Sequence, residues 1–159
     1  MSWPDPVTRV TDFLARTGAE ARVEEFPEGT PTARDAADAC GCKLGEIVKS
    51  LVLECDGRTV LALVPGDRRA DTVKIAAAVG STGAKVASAD RVRELTGFEP
   101  GAVAPFPPSQ VDRVFIDRHL LLPEEVWVGA GSAAHMACLS PAELVRLSGA
   151  EQLDLVSDA

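Results

Sequence analysis

The stretch that most constrains this fold is residues 46–65, "EIVKSLVLECDGRTVLALVP". Ile47, Val48, Leu51, Val52 and Leu53 make an aliphatic and β-branched run of strand length, Asp56-Gly57 is a two-residue turn signal, and "TVLALV" resumes the pattern. These are the arms of a β-hairpin, so the sheet that contains them is not purely parallel. One residue is out of keeping. Alternation sets Lys49 on the face of Ile47, Leu51 and Leu53, while Val48 and Val52 take the other, so both neighbouring surfaces are largely apolar. Two readings follow: the ammonium snorkels to water along its stem, or it projects into an apolar-walled cleft to meet an anionic or carbonyl group. Burial would lower its pKa, and a phosphate partner would raise it.

Around the hairpin the chain alternates helical and strand patterns. Val7, Val10, Phe13 and Leu14 recur at helical spacing and predict a helix over about 6–17, ended by Gly18. "ARVEEF" reads as a strand. Thr32, with Asp35 three residues on, opens a short helix that Gly41 stops. "DTVKIAAAVG" and "SADRVRELTG" read as further helices, "DRVFID" and "EVWVGAG" as strands, and "SPAELVRL" as a helix with Ser140 as cap and Pro141 at its first position. "HMACL" is a short apolar segment. The pattern predicts an α/β fold of mixed α+β type, a single compact domain over 1–159 whose curved mixed sheet is flanked by helices.

A chain of 159 residues buries roughly two-thirds of its unfolded surface and needs no disulfides. Cys40, Cys42, Cys55 and Cys138 lack zinc-finger spacing, "MSWPDPVTRV" lacks the apolar stretch of a signal peptide, and no run approaches the roughly 20 apolar residues of a membrane helix. A reduced, cytoplasmic protein without metal, cofactor or membrane contact is the expectation. The net charge of −8 argues against a protein that coats nucleic acid by charge alone. A local basic grip remains in "GDRRADTVK", which groups Arg68, Arg69 and Lys74, with a solvated mixed-charge surface as the alternative.

Two Gly-rich segments complete the candidates. "TGFEPGAVAPFPP" mixes prolines that fix φ with glycines that open it, which specifies a rigid loop with exposed amides, suited to an oxyanion hole or a pocket floor. "VWVGAGSAAH" fits G-x-G-x-x-A after a strand, but no convincing helix follows it. What it delivers is Gly131, Ser132 and His135 in a turn among small residues. No Walker motif, serine-hydrolase elbow or HExxH pattern occurs.

Taken in order, "TARDAADACGCKLGEIVKSLVLE", "LALVPGDRRADTVKIAAAVG", "TGFEPGAVAPF" and "VGAGSAAHMACLSPAEL" resemble the YbaK-type aminoacyl-tRNA deacylases, homologous to the editing domain of bacterial prolyl-tRNA synthetases. The resemblance covers most of the chain. It implies a partly barrel-like curved sheet, a pocket beneath a GxxxP loop at Gly101 to Pro105, and hydrolysis of the ester that joins a wrong amino acid to tRNA. It carries the essential lysine onto Lys49, with Gly101 as the second catalytic position. It carries substrate binding onto Ala102, Val103, Ala104 and Pro105, and more loosely onto Thr32, Gly131, Ser132 and His135. The implied partners are the tRNA acceptor end, gripped by Arg68, Arg69 and Lys74, and prolyl-tRNA synthetase. The implied substrates are small residues such as Ala, Cys or Ser. Two rivals stay open: a silent module that binds tRNA or a synthetase, and a nucleotide-binding protein built on "GAGSAA".

Overall fold

The computed structural model describes residues 3–157; residues 1, 2, 158 and 159 of the expected domain lie outside the described residues. Helix α1, Asp5–Arg16, buries Val7, Val10 and Leu14 along one stripe, and strand β1, Ala21–Glu25, follows. Helix α2, Ala33–Cys40, starts where Thr32 Oγ1 accepts the Asp35 N–H at 3.0 Å and stops at Gly41, whose φ of +67° only glycine adopts without strain. A short 3₁₀ turn at Leu44–Glu46 leads to strands β2, Val48–Cys55, and β3, Arg58–Pro65. Both turn residues between them have positive φ, Asp56 at 51° and Gly57 at 84°, as a hairpin of this length favours.

Helix α3, Thr72–Ala78, is capped by Asp71, and a two-residue strand β4, Lys85–Val86, precedes helix α4, Ala89–Thr96, capped by Ser88. Strands β5, Arg113–Asp117, β6, Val126–Ser132, and β7, His135–Leu139, come next. Helix α5, Pro141–Ser148, is capped by Ser140, and strand β8, Glu151–Leu153, closes the series.

The strands form two sheets. The larger is mixed, in the order β4-β2-β3-β5-β8, antiparallel through the hairpin and parallel from β3 to β8. The smaller is antiparallel, in the order β1-β7-β6. An isolated parallel bridge, Ile47 to Trp127, connects them. The sheets do not close on one another, which corrects the partly barrel-like expectation. The physical reason is β4, which pairs only with Leu53 and Glu54 and leaves the edge of β2 from Val48 to Leu51 without a neighbouring strand.

Each face of the larger sheet has its own core. Val48, Val52, Leu61 and Leu63 pack with Val10, Phe98 and Phe106 on one side, and Leu53, Val60, Ala62 and Val64 pack with Ile75 and Leu155 on the other. Lys49 stands opposite Val64 and its stem lies along the second face, as alternation predicts. A third cluster of Ala36, Ala37, Ile47, Trp127 and Met136 fastens α2 to the smaller sheet.

Candidate functional site

The open edge of β2 is one wall of a cleft of about 250 Å³. Its other walls are the entry to α2 (Thr30 to Ala33), the loop residues Gly101 and Val103, and the β6/β7 hairpin with Gly129, Ser132, His135 and Met136. Six residues singled out from the sequence therefore meet here: Thr32, Lys49, Gly101, Val103, Ser132 and His135.

Lys49 is half-buried and its ammonium donates to the Arg68 carbonyl at 2.8 Å. Burial lowers its pKa from 10.5, Asp67 opposes that shift, and Arg69 adds to it. The residue also borders a second cleft of about 540 Å³ that contains Arg68, Arg69, Leu51, Leu53 and Val86. Lys49 thus stands where the two clefts adjoin, with its charge on the side of the second.

The loop after α4 is held by two glycines of β6. Gly131 N–H donates to the Ala102 carbonyl at 3.1 Å, and a Cβ on Gly129 would sit 2.7 Å from the Val103 carbonyl oxygen. Gly131 has φ +104°, and a Cβ there would lie 2.8 Å from the Pro6 carbonyl of α1. The G-x-G of "GAGSAA" therefore serves close backbone approach within a strand. It leads into a hairpin rather than a helix, so the helix N-terminus that a dinucleotide fingerprint needs is missing, and the nucleotide-binding rival falls. Docking also decides which way the loop's side chains turn. Ala102 and Ala104 are 4% and 2% exposed and Pro105 is buried with them; with Gly131 they back the loop behind Gly101 and Val103, the two loop residues that line the cleft. Gly101 and Val103 line the cleft, and their N–H groups have no acceptor among the described residues.

A bulge in β6 between Gly129 and Ser132 re-aims the end of the hairpin. Ser132 Oγ accepts the Ala134 N–H at 3.0 Å and lies 2.6 Å from His135 Nδ1. The Ser132 oxygen keeps a second lone pair, so its hydroxyl donates to Nδ1 of one imidazole tautomer or accepts from Nδ1–H of the other, and Nε2 is correspondingly a donor or an acceptor. His135 is 3% exposed, with the Trp3 ring edge-on at 4.9 Å. Glu25 Oε2 is 3.4 Å from Nε2 but outside hydrogen-bonding geometry, so Nε2 is buried without a hydrogen-bond partner among the described residues. The other histidine, His119, is bound at 2.8 Å to the fully buried Asp117 and serves the sheet's end.

Ser50 was not singled out from the sequence, although the signal was there, a hydroxyl inside an apolar strand beside Lys49. Its Oγ is buried without a partner at the cleft. Lys74, grouped with the arginines by sequence, is instead engaged by Asp154 Oδ2 at 3.0 Å and the Val156 carbonyl at 2.7 Å. Cys40 and Cys42 are only half-buried, Cys55 and Cys138 fully so. Burial pushes the Cys40 thiol up to about 12 and the Cys138 thiol up to about 11, which leaves neither poised as a nucleophile.

Comparison with known proteins gives the chain's family. Residues 27–147 match the family model described as "Aminoacyl-tRNA editing domain". A solved structure proposed as a trans-editing enzyme for prolyl tRNA synthetase superposes with a TM-score of 0.91 at 36% identity, covering 99% of this chain and 100% of that one. The uncharacterized protein YwhH of Bacillus subtilis is 33% identical over 87% of this chain and 88% of its own length. The proline–tRNA ligase of Maridesulfovibrio salexigens is 30% identical over 82% of this chain, which spans only 23% of the ligase.

Proposed function

The chain belongs to the aminoacyl-tRNA editing domain family, and from that premise we propose that it is a trans-acting deacylase that hydrolyses a small amino acid from mischarged tRNA. The observation that carries the reading is the convergence of Thr32, Lys49, Gly101, Val103, Ser132 and His135 on one cleft. At about 250 Å³ the cleft is smaller than the usual drug-sized pocket of roughly 300–1,000 Å³, a volume suited to an aminoacyl group and too small for a dinucleotide. The likeness to the solved structure proposed as a trans-editing enzyme for prolyl tRNA synthetase supports action in trans.

The chemistry asks little of the protein. An aminoacyl ester is already activated, so a positioned water attacks its carbonyl carbon and the ribose hydroxyl leaves, giving free amino acid and tRNA. The unpartnered N–H groups of Gly101 and Val103 stabilise the tetrahedral oxyanion. Lys49 meets the phosphate or ester of the terminal nucleotide, whose approach through the second cleft passes Arg68 and Arg69. The partner is the tRNA acceptor end, the reaction's place is the cytoplasm, and the relation to prolyl-tRNA synthetase points to proline tRNA as carrier. Release of amino acid from a panel of correctly and incorrectly charged tRNAs, with and without the protein, tests this. Faster release of a small mischarged residue is expected; binding of tRNA without any release would replace the enzyme by a silent module.

A further inference from the structure

Two polar side-chain atoms of the described residues are buried without a hydrogen-bond partner, Ser50 Oγ and His135 Nε2, and both residues line the same cleft. Buried polar groups are almost always paired and an unpaired one opposes folding, so two at one small site, with only the misaligned Glu25 carboxylate near Nε2, point to a ligand as the partner. Their chemistry is complementary to one ligand group. Ser132 Oγ holds the imidazole through Nδ1, and Nε2 presents a donor or an acceptor according to the tautomer. The Ser50 hydroxyl both donates and accepts. A ligand hydroxyl, itself donor and acceptor, complements either tautomer of His135 and the Ser50 hydroxyl alike.

We propose, on the deacylase reading above, that the cleft recognises a side-chain hydroxyl, so that seryl and threonyl esters are the preferred substrates and alanyl esters poor ones. The volume admits these side chains and little more. A thiol is a weaker hydrogen-bonding group, which sets cysteinyl esters between the two. The direction of selectivity follows from pairing. A pocket that only fits by size separates close homologues weakly, whereas one built to bond a hydroxyl rejects the analogue that lacks it, because its own polar atoms are left bare.

The test is single-turnover hydrolysis of seryl-, threonyl- and alanyl-tRNA by the wild type and by Ser50→Ala and Ser50→Thr. At least a tenfold seryl-over-alanyl preference is expected. It should collapse by about tenfold or more in Ser50→Ala and recover in Ser50→Thr, which restores the hydroxyl. Equal wild-type rates on seryl and alanyl esters overturn the proposal. So does a Ser50→Ala variant that slows both esters by the same factor, since the hydroxyl would then serve the shared α-amino or ester group. Affinity for a non-hydrolysable seryl-adenosine amide and its alanyl counterpart separates this from the deacylase reading. A serine preference in binding without turnover removes the enzyme and keeps the recognition, and equal affinities remove the recognition.

Discussion

Gly129→Ala isolates what holds the loop of residues 101–105 in place. Gly129 needs no positive φ, so alanine is acceptable to the backbone and the substitution tests space alone. The added methyl carbon would sit 2.7 Å from the Val103 carbonyl oxygen, where ordinary contact begins at 3.4 Å. Both groups belong to backbone, one in a paired strand and the other in a loop tied to Gly131, so neither rotates aside as a side chain would. The loop must therefore move by about half an ångström or more, against packing that makes overfilled sites cost about 1–3 kcal/mol. Gly101 and Val103 travel with it.

Positioning errors of about 1 Å cost reactions on the order of a hundredfold, so Gly129→Ala should lower the deacylation rate by roughly ten- to a hundredfold while the protein stays folded. Urea unfolding should show a loss of about 1–3 kcal/mol. Gly83→Ala is the control. No atom lies within 4 Å of its Cβ position and its φ is ordinary, so it should melt like the wild type or slightly above it, through the unfolded state. If Gly129→Ala keeps both wild-type stability and rate, the strand does not position the loop and the oxyanion assignment fails with it.

Lys49→Ala should abolish deacylation in a folded protein, and Lys49→Arg should fail too, because a planar fork does not replace a compact ammonium; near-wild-type single-turnover rates in either variant would remove Lys49 from the reaction. Burial lowers the Lys49 pKa below 10.5, so the protein-dependent rate should fall at a less alkaline pH than an exposed lysine would give; the protonated form opposes folding, and that penalty fades as pH rises towards 10.5. Activity should resist N-ethylmaleimide at neutral pH, since burial keeps Cys40 and Cys138 protonated; rapid loss that Cys→Ser variants prevent would refute this. Ala102→Leu should cost about 1–3 kcal/mol in urea melts rather than trim the substrate profile, because Ala102 is buried away from the cleft.

Local rules made much of this molecule legible. The hairpin follows from Asp56-Gly57 between two aliphatic runs, the caps at Thr32, Ser88 and Ser140 follow from side chains that satisfy early N–H groups, and Lys49 takes the face that alternation gives it. What stayed hidden depends on distant partners. Strand β7 has all five residues buried, so its sequence carries no alternation to mark it. β4 has two residues and pairs only at one end of β2. Lys74 reads as a free cation until Asp154, eighty residues on, arrives beside it. The composition of "GAVAP" announces a stiff loop, yet which of its side chains face the cleft is decided by Gly129 and Gly131, whose missing Cβ atoms let the backbone approach.

The same long-range docking explains why polar groups that oppose folding collect at one edge. A sheet edge closed by a full-length strand would satisfy its own backbone and leave no room for a ligand. Here β4 stops short, and α2, the loop and the bulged hairpin cover the remaining edge at a distance that leaves a cleft. Into that cleft or its border the chain puts a desolvated lysine, a serine whose hydroxyl is unpaired and a histidine whose Nε2 is unpaired, each of which costs the fold some stability. Two dense cores on the faces of the larger sheet, tied by caps and by the Gly131 contact, carry the stability that those groups forgo. A variant with Ser50→Ala should on this reasoning fold at least as stably as the wild type, because it removes an unsatisfied buried hydroxyl, while it loses selectivity. Urea melts in which Ser50→Ala is destabilised by about 1 kcal/mol or more would mean that the hydroxyl has a partner within the fold, and the case for an outside one would collapse.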